Sequence, residues 1–328
     1  MAVIGFPKSK KKEEYRIALL PKELEKISKP ENLWIVSGYG SHLGFSDSDY
    51  KRYGVKIVDD DKAYLSDIVC QPKLCSGDIP YLSKKQTIFG WTHLEPWWKL
   101  TKKLAELEDT VIGWELMYKD GKYVFERNSY ISGEVGVKDA IERFKKIPDN
   151  IISHYGGIEN LKIALIGNGN VGKGARYALK RLGASDSRID IYNSKNVSDL
   201  WNSIEKYDIV INAASVKKDE NGKYIYPLTR EHMRKMKSGA VLLDLGMSIK
   251  YPIKTKSIEE PIKKFNEDKN LIYVNDHIPT LDPLRASKVI SKAVSPYINL
   301  LLNDKMDETL RNAIIIDEGK INYDRLSY

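Results

Sequence analysis

The chain is poor in the features that mark several protein classes. It has two cysteines, Cys70 and Cys75, in 328 residues, which argues against a secreted disulfide scaffold and for a reducing compartment. Two thiols also fall short of a zinc site, so no metal is expected. No apolar run approaches the roughly 20 residues that a membrane-crossing helix requires, and no membrane partner is expected. The basic run Lys8–Lys12 is followed by an apolar stretch broken by Arg16 and Pro21, too short for a signal peptide. The expected location is therefore cytoplasmic. Lysines and glutamates are interspersed rather than gathered into one basic block, so the net charge of +8 suits anionic metabolites or a phosphorylated cofactor. No nucleic-acid-binding signature is present, and nucleic acid is not an expected partner. Internal repeats and low-complexity tails are also missing.

What is present is enough apolar residue, 42% of the chain, to bury a sizeable interior, and a length that favours two domains. Strand-like and helix-like segments alternate, the pattern of doubly wound folds. Val3–Phe6, Leu33–Ser37, Ile68–Gln71, Gln86–Gly90 and Thr110–Trp114 read as strands, separated by helical stretches such as Pro21–Ile27 and Trp97–Leu107. Val135, Val137, Ala140, Ile141 and Phe144 mark one face of a connecting helix within Ser132–Lys146. A second series follows: Lys162–Ile166, Arg188–Tyr192, Asp208–Ala213, Ala240–Leu245 and Leu271–Val274. After Pro283, Ala286, Val289, Ile290, Ala293, Val294 and Tyr297 outline a helix returning to the first domain. The expected fold is α/β, two Rossmann-like doubly wound domains separated by a cleft. A substrate domain would span 1–130 plus 280–328, and a dinucleotide-binding domain 131–279.

The second domain opens on Leu161-Lys-Ile-Ala-Leu-Ile-Gly-Asn-Gly-Asn-Val-Gly-Lys-Gly-Ala175, a glycine turn between a buried strand and a helix. Gly167 permits the tight turn, Gly169 lets the backbone approach a pyrophosphate, and Gly172 lets the helix pack on the strand. Asn170 and Val171 begin the helix whose free N–H groups face the phosphates. An enzyme preferring NAD ends its second strand, roughly 20 residues on, with an acid that binds the ribose hydroxyls. That end is Asn193, Ser194 and Lys195, neutral and cationic residues that tolerate a ribose phosphate, with Asp190 too early in the strand. The expected cofactor is NADP(H), with NAD(H) left open. Ala214, just beyond Asp208–Ala213, joins the expected cofactor contacts.

The order of motifs resembles the alanine dehydrogenase and transhydrogenase superfamily, which also contains saccharopine dehydrogenase and carboxyethylornithine synthase. The resemblance covers nearly the whole chain. It rests on Ile4-Gly-Phe-Pro-Lys8, Glu14-Tyr-Arg-Ile-Ala-Leu-Leu-Pro21, Gln71-Pro-Lys73, Gly90-Trp-Thr-His93 and Asn275-Asp-His-Ile-Pro-Thr-Leu281 with Ala286-Ser287. The last of these is most similar to carboxyethylornithine synthases and saccharopine dehydrogenases. The resemblance implies an NAD(P)-dependent oxidoreductase acting on CH–NH substrates.

On residue type alone Arg16 reads as a solvated arginine; the resemblance assigns it to an α-keto acid carboxylate, which a guanidinium grips with parallel hydrogen bonds. Lys73 stands at a strand's carboxyl end, where desolvation can bring a lysine's proton exchange near neutrality. His93 ends the next strand and has the side chain best suited to giving and taking a proton in one cycle. The resemblance assigns acid–base work to the histidine, and substrate contact or proton transfer to the lysine. Glu115 resembles an acid that orients the lysine or binds the amine of a second substrate. Asp276 and His277 follow a strand and precede Pro279, in a loop expected to contact the nicotinamide ribose or close the substrate site; turn and capping chemistry is the plainer alternative.

Two departures narrow the choice of reaction. Alanine dehydrogenases carry an acid where this chain has Ser248, and saccharopine dehydrogenases often follow the lysine with glutamate, where this chain has Leu74. The expected reaction is therefore of the carboxyethylornithine synthase type: a pyruvate-like keto acid condenses with the side-chain amine of ornithine or lysine, and the reduced cofactor reduces the imine. An alanine or saccharopine dehydrogenase, and a non-catalytic nucleotide-binding regulator, remain the alternatives; a homo-oligomer is left open.

Overall fold

The computed structural model describes residues 2–94, 98–218, 223–249, 258–267 and 269–326. The chain divides into two compact units, Met1–Glu126 with Asp282–Tyr328 and Arg127–Leu281. Among the described residues no helix is long and apolar enough to cross a membrane.

The eight-stranded sheet of the first unit runs, edge to edge, Lys320–Ile321, Ile314–Asp317, Thr110–Gly113, Thr87–Gly90, Ile68–Gln71, Ile4–Phe6, Leu33–Val36 and Lys56–Val58. Pairing is parallel except at the edge carrying Ile314–Asp317 and Lys320–Ile321. Strand residues alternate between two apolar layers, as a pleat of period two requires. Phe89 and Ile112 join the layer containing Ile290, Val294 and Ile298 of the helix Pro283–Leu302, while Ile88 and Val111 join the layer containing Leu100 and Leu104. With both faces covered, the central strands Ile4–Phe6 and Ile68–Gln71 are buried at every residue, which is why they read as largely apolar runs.

The second unit has a six-stranded sheet in the order Ile189–Tyr192, Ile163–Ile166, Ile209–Asn212, Val241–Asp244, Asn270–Val274 and Ile262–Phe265, with only the last pairing antiparallel. Ile163 and Leu165 point into one apolar layer, Ala164 and Ile166 into the other. The mixed α/β architecture with parallel-dominated sheets agrees with the sequence reading in both units. Two local differences stand out. Pro21–Lys26 is a 3-10 turn rather than an α-helix, and Glu126–Phe144 begins before the helix expected at Ser132. The helix expected at Trp97 is described from Trp98 to Glu106, Trp97 itself lying outside the described residues.

Candidate active site

The candidate chemistry of the first unit collects at the carboxyl ends of neighbouring strands. Ile68–Gln71 and Thr87–Gly90 pair in register, Gln71 opposite Gly90, so the segments after them, bearing Lys73 and His93, leave the sheet side by side. Leu74 donates its N–H to the Trp91 carbonyl at 3.0 Å, tying the two segments together. Lys73 is half-buried, and its carbonyl accepts from Ser9 Oγ at 2.8 Å. His93 has φ of 44°, a left-handed backbone uncommon outside glycine that turns the chain sharply at this point.

Glu115 holds that turn in place. Its buried carboxylate accepts from His93 N–H at 2.5 Å, from Thr92 Oγ at 2.9 Å and from Thr92 N–H at 3.3 Å. Burial pushes its carboxyl above the ordinary carboxylate range, against the opposing pull of these donors. The sequence reading has Glu115 orienting Lys73 or binding the amine of a second substrate; the hydrogen bonds described for it run to Thr92 and the His93 backbone.

Arg16 is buried, not solvated. Its Nε and Nη2 donate to the Glu14 carboxylate at 2.7 and 2.5 Å, a two-pronged pair, and the guanidinium lies 5.2 Å from the Trp91 ring centroid. Nη1 has no acceptor among the described residues. The long helix supports this segment: Ser287 Oγ accepts from Ile17 N–H at 2.9 Å, and Ser291 Oγ from Leu20 N–H at 2.8 Å. Trp91 is itself fixed by Trp114 and Phe125. Arg16 thus lies on Trp91, whose segment is bonded to the segment of Lys73 and, two residues on at His93, to Glu115.

Sequence reasoning missed Glu14 and Trp91. The spacing Glu14-Tyr15-Arg16 carried a signal for the first, since residues two apart in extended chain share a side.

The second unit carries the dinucleotide cradle. Gly167 has φ of +100°, and a side chain there would meet the Ala213 carbonyl at 2.8 Å; a Cβ on Gly172 would sit 2.0 Å from the Gly167 carbonyl. Nothing lies within 4 Å of a Cβ on Gly169, so the space over that peptide is open. The helix Asn170–Arg181 starts at Gly169 with no side chain capping it, leaving the N–H groups of Asn170, Val171 and Gly172 for an anion. The residues fit a pyrophosphate.

Asn193, Ser194 and Lys195 are exposed beyond the next strand. Asn193 Oδ1 accepts from Lys195 N–H at 2.8 Å. Asp190 accepts from the Tyr207 hydroxyl at 2.7 Å and lies 3.8 Å from Lys162 Nζ.

Ala214 and Ser248 belong to one network. Asn212 Nδ2 donates to Asp244 at 2.7 Å and to Ser248 Oγ at 2.9 Å, and Ser248 Oγ donates to the Ala214 carbonyl at 2.6 Å. Burial pushes the Asp244 carboxyl up to about 6. Beyond the strand Asn270–Val274, His277 Nδ1 meets Asp276 Oδ1 at 2.5 Å, and His277 N–H donates to Asn275 Oδ1 at 3.1 Å. His277 Nε2 is buried without a partner among the described residues.

A doubly wound α/β protein with a dinucleotide cradle in one unit and an Arg–Lys–His group in the other is built as an oxidoreductase. The comparisons assign it to a family. Residues 5–127 match the N-terminal domain and residues 137–324 the C-terminal domain of the alanine dehydrogenase/PNT family, and the chain belongs to that family. It is 27% identical over 324 residues to an N(5)-(carboxyethyl)ornithine synthase of Clostridium botulinum, spanning 90% of this chain and 93% of that one. It is 24% identical over 357 residues to alanine dehydrogenase 1 of Staphylococcus aureus, spanning 97% and 92%. Among solved structures an L-alanine dehydrogenase superposes with a TM-score of 0.79 at 19% identity over 98% of this chain and 97% of that one. A transhydrogenase from Sinorhizobium meliloti gives 0.72 at 17% over 97% and 98%. The structural likenesses carry the fold.

Proposed function

We propose that the protein joins an α-keto acid to the side-chain amine of an amino acid such as ornithine or lysine and reduces the imine at the expense of NADPH. The observation that carries this reading is the open Nη1 edge of Arg16, beside the segments that bear Lys73 and His93. Arg16 holds the keto acid carboxylate. Glu14 and Trp91 keep the guanidinium plane fixed, so little orientational freedom is lost on binding. Lys73 and His93 move the protons of imine formation: one accepts the amine's proton, the other donates to the departing hydroxyl. Glu115 serves this step by setting the His93 backbone. Gly167–Gly172 would hold the nicotinamide cofactor, which when bound would supply the hydride for reduction of the imine.

A requirement for an amine other than ammonia is supported by Ser248, whose hydroxyl is engaged by Asn212 and Ala214 where alanine dehydrogenases have an acid. The preference for NADPH is supported by exposed, carboxylate-free Asn193–Lys195 and by the engagement of Asp190 with Tyr207 and Lys162. The test is a panel of keto acids and amines with each reduced cofactor, followed by product mass. A secondary amine formed with NADPH is the expected result; alanine formed from pyruvate and ammonia overturns the reading.

A further inference from the structure

The first unit contains a cavity of about 380 Å³ whose position follows from the sheet order. Strand Ile4–Phe6 lies between Leu33–Val36 and Ile68–Gln71, so the chain winds away from it in both directions, and open α/β sheets bind ligands at the carboxyl side of such a switch point. The cavity walls come from the segments that follow those strands, at Pro7–Ser9, Gly38–His42 and Pro72, closed by the stretch through Arg16. Its volume lies toward the small end of ligand sites, a size for an amino acid rather than a dinucleotide.

The charges around it are of both signs. Lys8 and Lys11 supply ammonium groups, and Glu13 and Glu14 supply carboxylates. Glu14 is committed to Arg16. Glu13 is 6% exposed at its side chain, with Lys12 Nζ 3.5 Å away. Lys8 hydrogen-bonds through its backbone to Asp60, but its ammonium has no partner among the described residues. A simple dianion would meet the carboxylates, and a simple diamine would meet Lys8; a zwitterion answers both.

We propose that this cavity binds the α-carboxylate and α-ammonium of the amino-acid partner, the carboxylate on Lys8 and the ammonium on Glu13. The side-chain amine is then free to meet the keto acid on Arg16, which lines the same cavity. This assignment rests on the reductive-condensation reading. It gives that reaction its selection rule: the amine must belong to an α-amino acid.

The experiment compares ornithine with 1,4-diaminobutane, and lysine with 1,5-diaminopentane, in kcat/KM and in calorimetric binding to the cofactor-free protein. The wild-type chain is expected to prefer each amino acid over its diamine. Loss of one charged contact to a carboxylate should cut ornithine binding by roughly 10- to 100-fold in Lys8→Met. The amino-acid preference should collapse, the keto acid KM should stay unchanged, and Lys8→Arg should restore the preference. Glu13→Gln should weaken ornithine more than N-acetylated ornithine, which lacks the α-ammonium. An unchanged preference in Lys8→Met overturns the inference while leaving secondary-amine formation intact. If no amine yields a secondary-amine product, the reaction reading fails, and loss of ornithine binding in Lys8→Met still supports the cavity as an amino-acid site. A Lys8→Met chain that also loses keto acid affinity or its wild-type circular dichroism is replaced by Lys8→Gln for the same comparison.

Discussion

Arg16 shows how a surface-looking residue becomes a binding group through its neighbours. The sequence places it in a basic segment, but Glu14 occupies two of its nitrogens and Trp91 lies against its plane. A lysine cannot reproduce that planar fork. Arg16→Lys is therefore expected to raise the keto acid KM by about 10- to 100-fold with a smaller change in kcat, the pattern of lost ground-state binding. Steady-state kinetics with varied keto acid checks it; an unchanged KM removes Arg16 from the site. His93 is a different case, because its backbone is fixed by Glu115 while its ring is assigned to proton transfer. His93→Gln should lower kcat by about 10²- to 10⁴-fold, the usual worth of general acid–base catalysis, and leave NADPH affinity within a factor of about two. Fluorescence titration of NADPH beside turnover separates those outcomes, and retained turnover would exclude His93 as the proton-transfer group.

At the scale of elements, what was legible depended on whether the signal was local. Ile163–Ile166 was readable because it is apolar at every position, and Ile68–Gln71 because it is apolar at all but its last, as strands buried on both faces tend to be. Ile314–Asp317 was not read as a strand, since its partner Thr110–Gly113 lies far away in sequence and its pairing is irregular. The candidate site divides in the same way. Lys73 and His93 followed from strand ends and the glycine turn from spacing, whereas the hold of Glu115 on His93 needed the sheet register.

The helix Glu126–Phe144 packs closely against the helix Asn170–Arg181. A Cβ on Gly133 would sit 1.9 Å from the Val171 carbonyl, and one on Gly174 would sit 2.0 Å from the Tyr130 carbonyl. Gly133 and Gly174 therefore let two helices approach at the point where the dinucleotide helix begins. Helix propensity alone would make Gly174→Ala stabilising by up to about 1 kcal/mol. The close approach reverses the sign: a loss of about 1–3 kcal/mol is expected from forced separation. Urea unfolding, with the cofactor absent, decides between them.

At the scale of the whole molecule, each unit buries a carboxyl group whose protonation is tied to folding. Asp109 in the first unit is fully buried, accepts from Gln86 N–H at 3.0 Å, and has its carboxyl pushed up to about 7 by desolvation. Asp244 in the second rises to about 6 for the same reason. An unfolded aspartate titrates near about 3.9. Because the folded values are raised, the folded chain holds more protons than the unfolded chain between those limits. These groups therefore leave stability intact below about pH 4 and subtract from it as pH rises toward 7. The predominance of basic residues, 53 against 45 acidic ones, also varies with pH, so the clean measurement is a difference between variants. Asp109→Asn keeps an oxygen for the Gln86 N–H and removes the titration. Relative to the wild type, it should gain about 2–4 kcal/mol of stability between pH 4 and pH 8, nearly all of it below pH 7.5. Unfolding curves at several pH values test this; a wild-type-minus-variant difference that stays flat would mean that Asp109 is ionised in the folded chain at neutral pH.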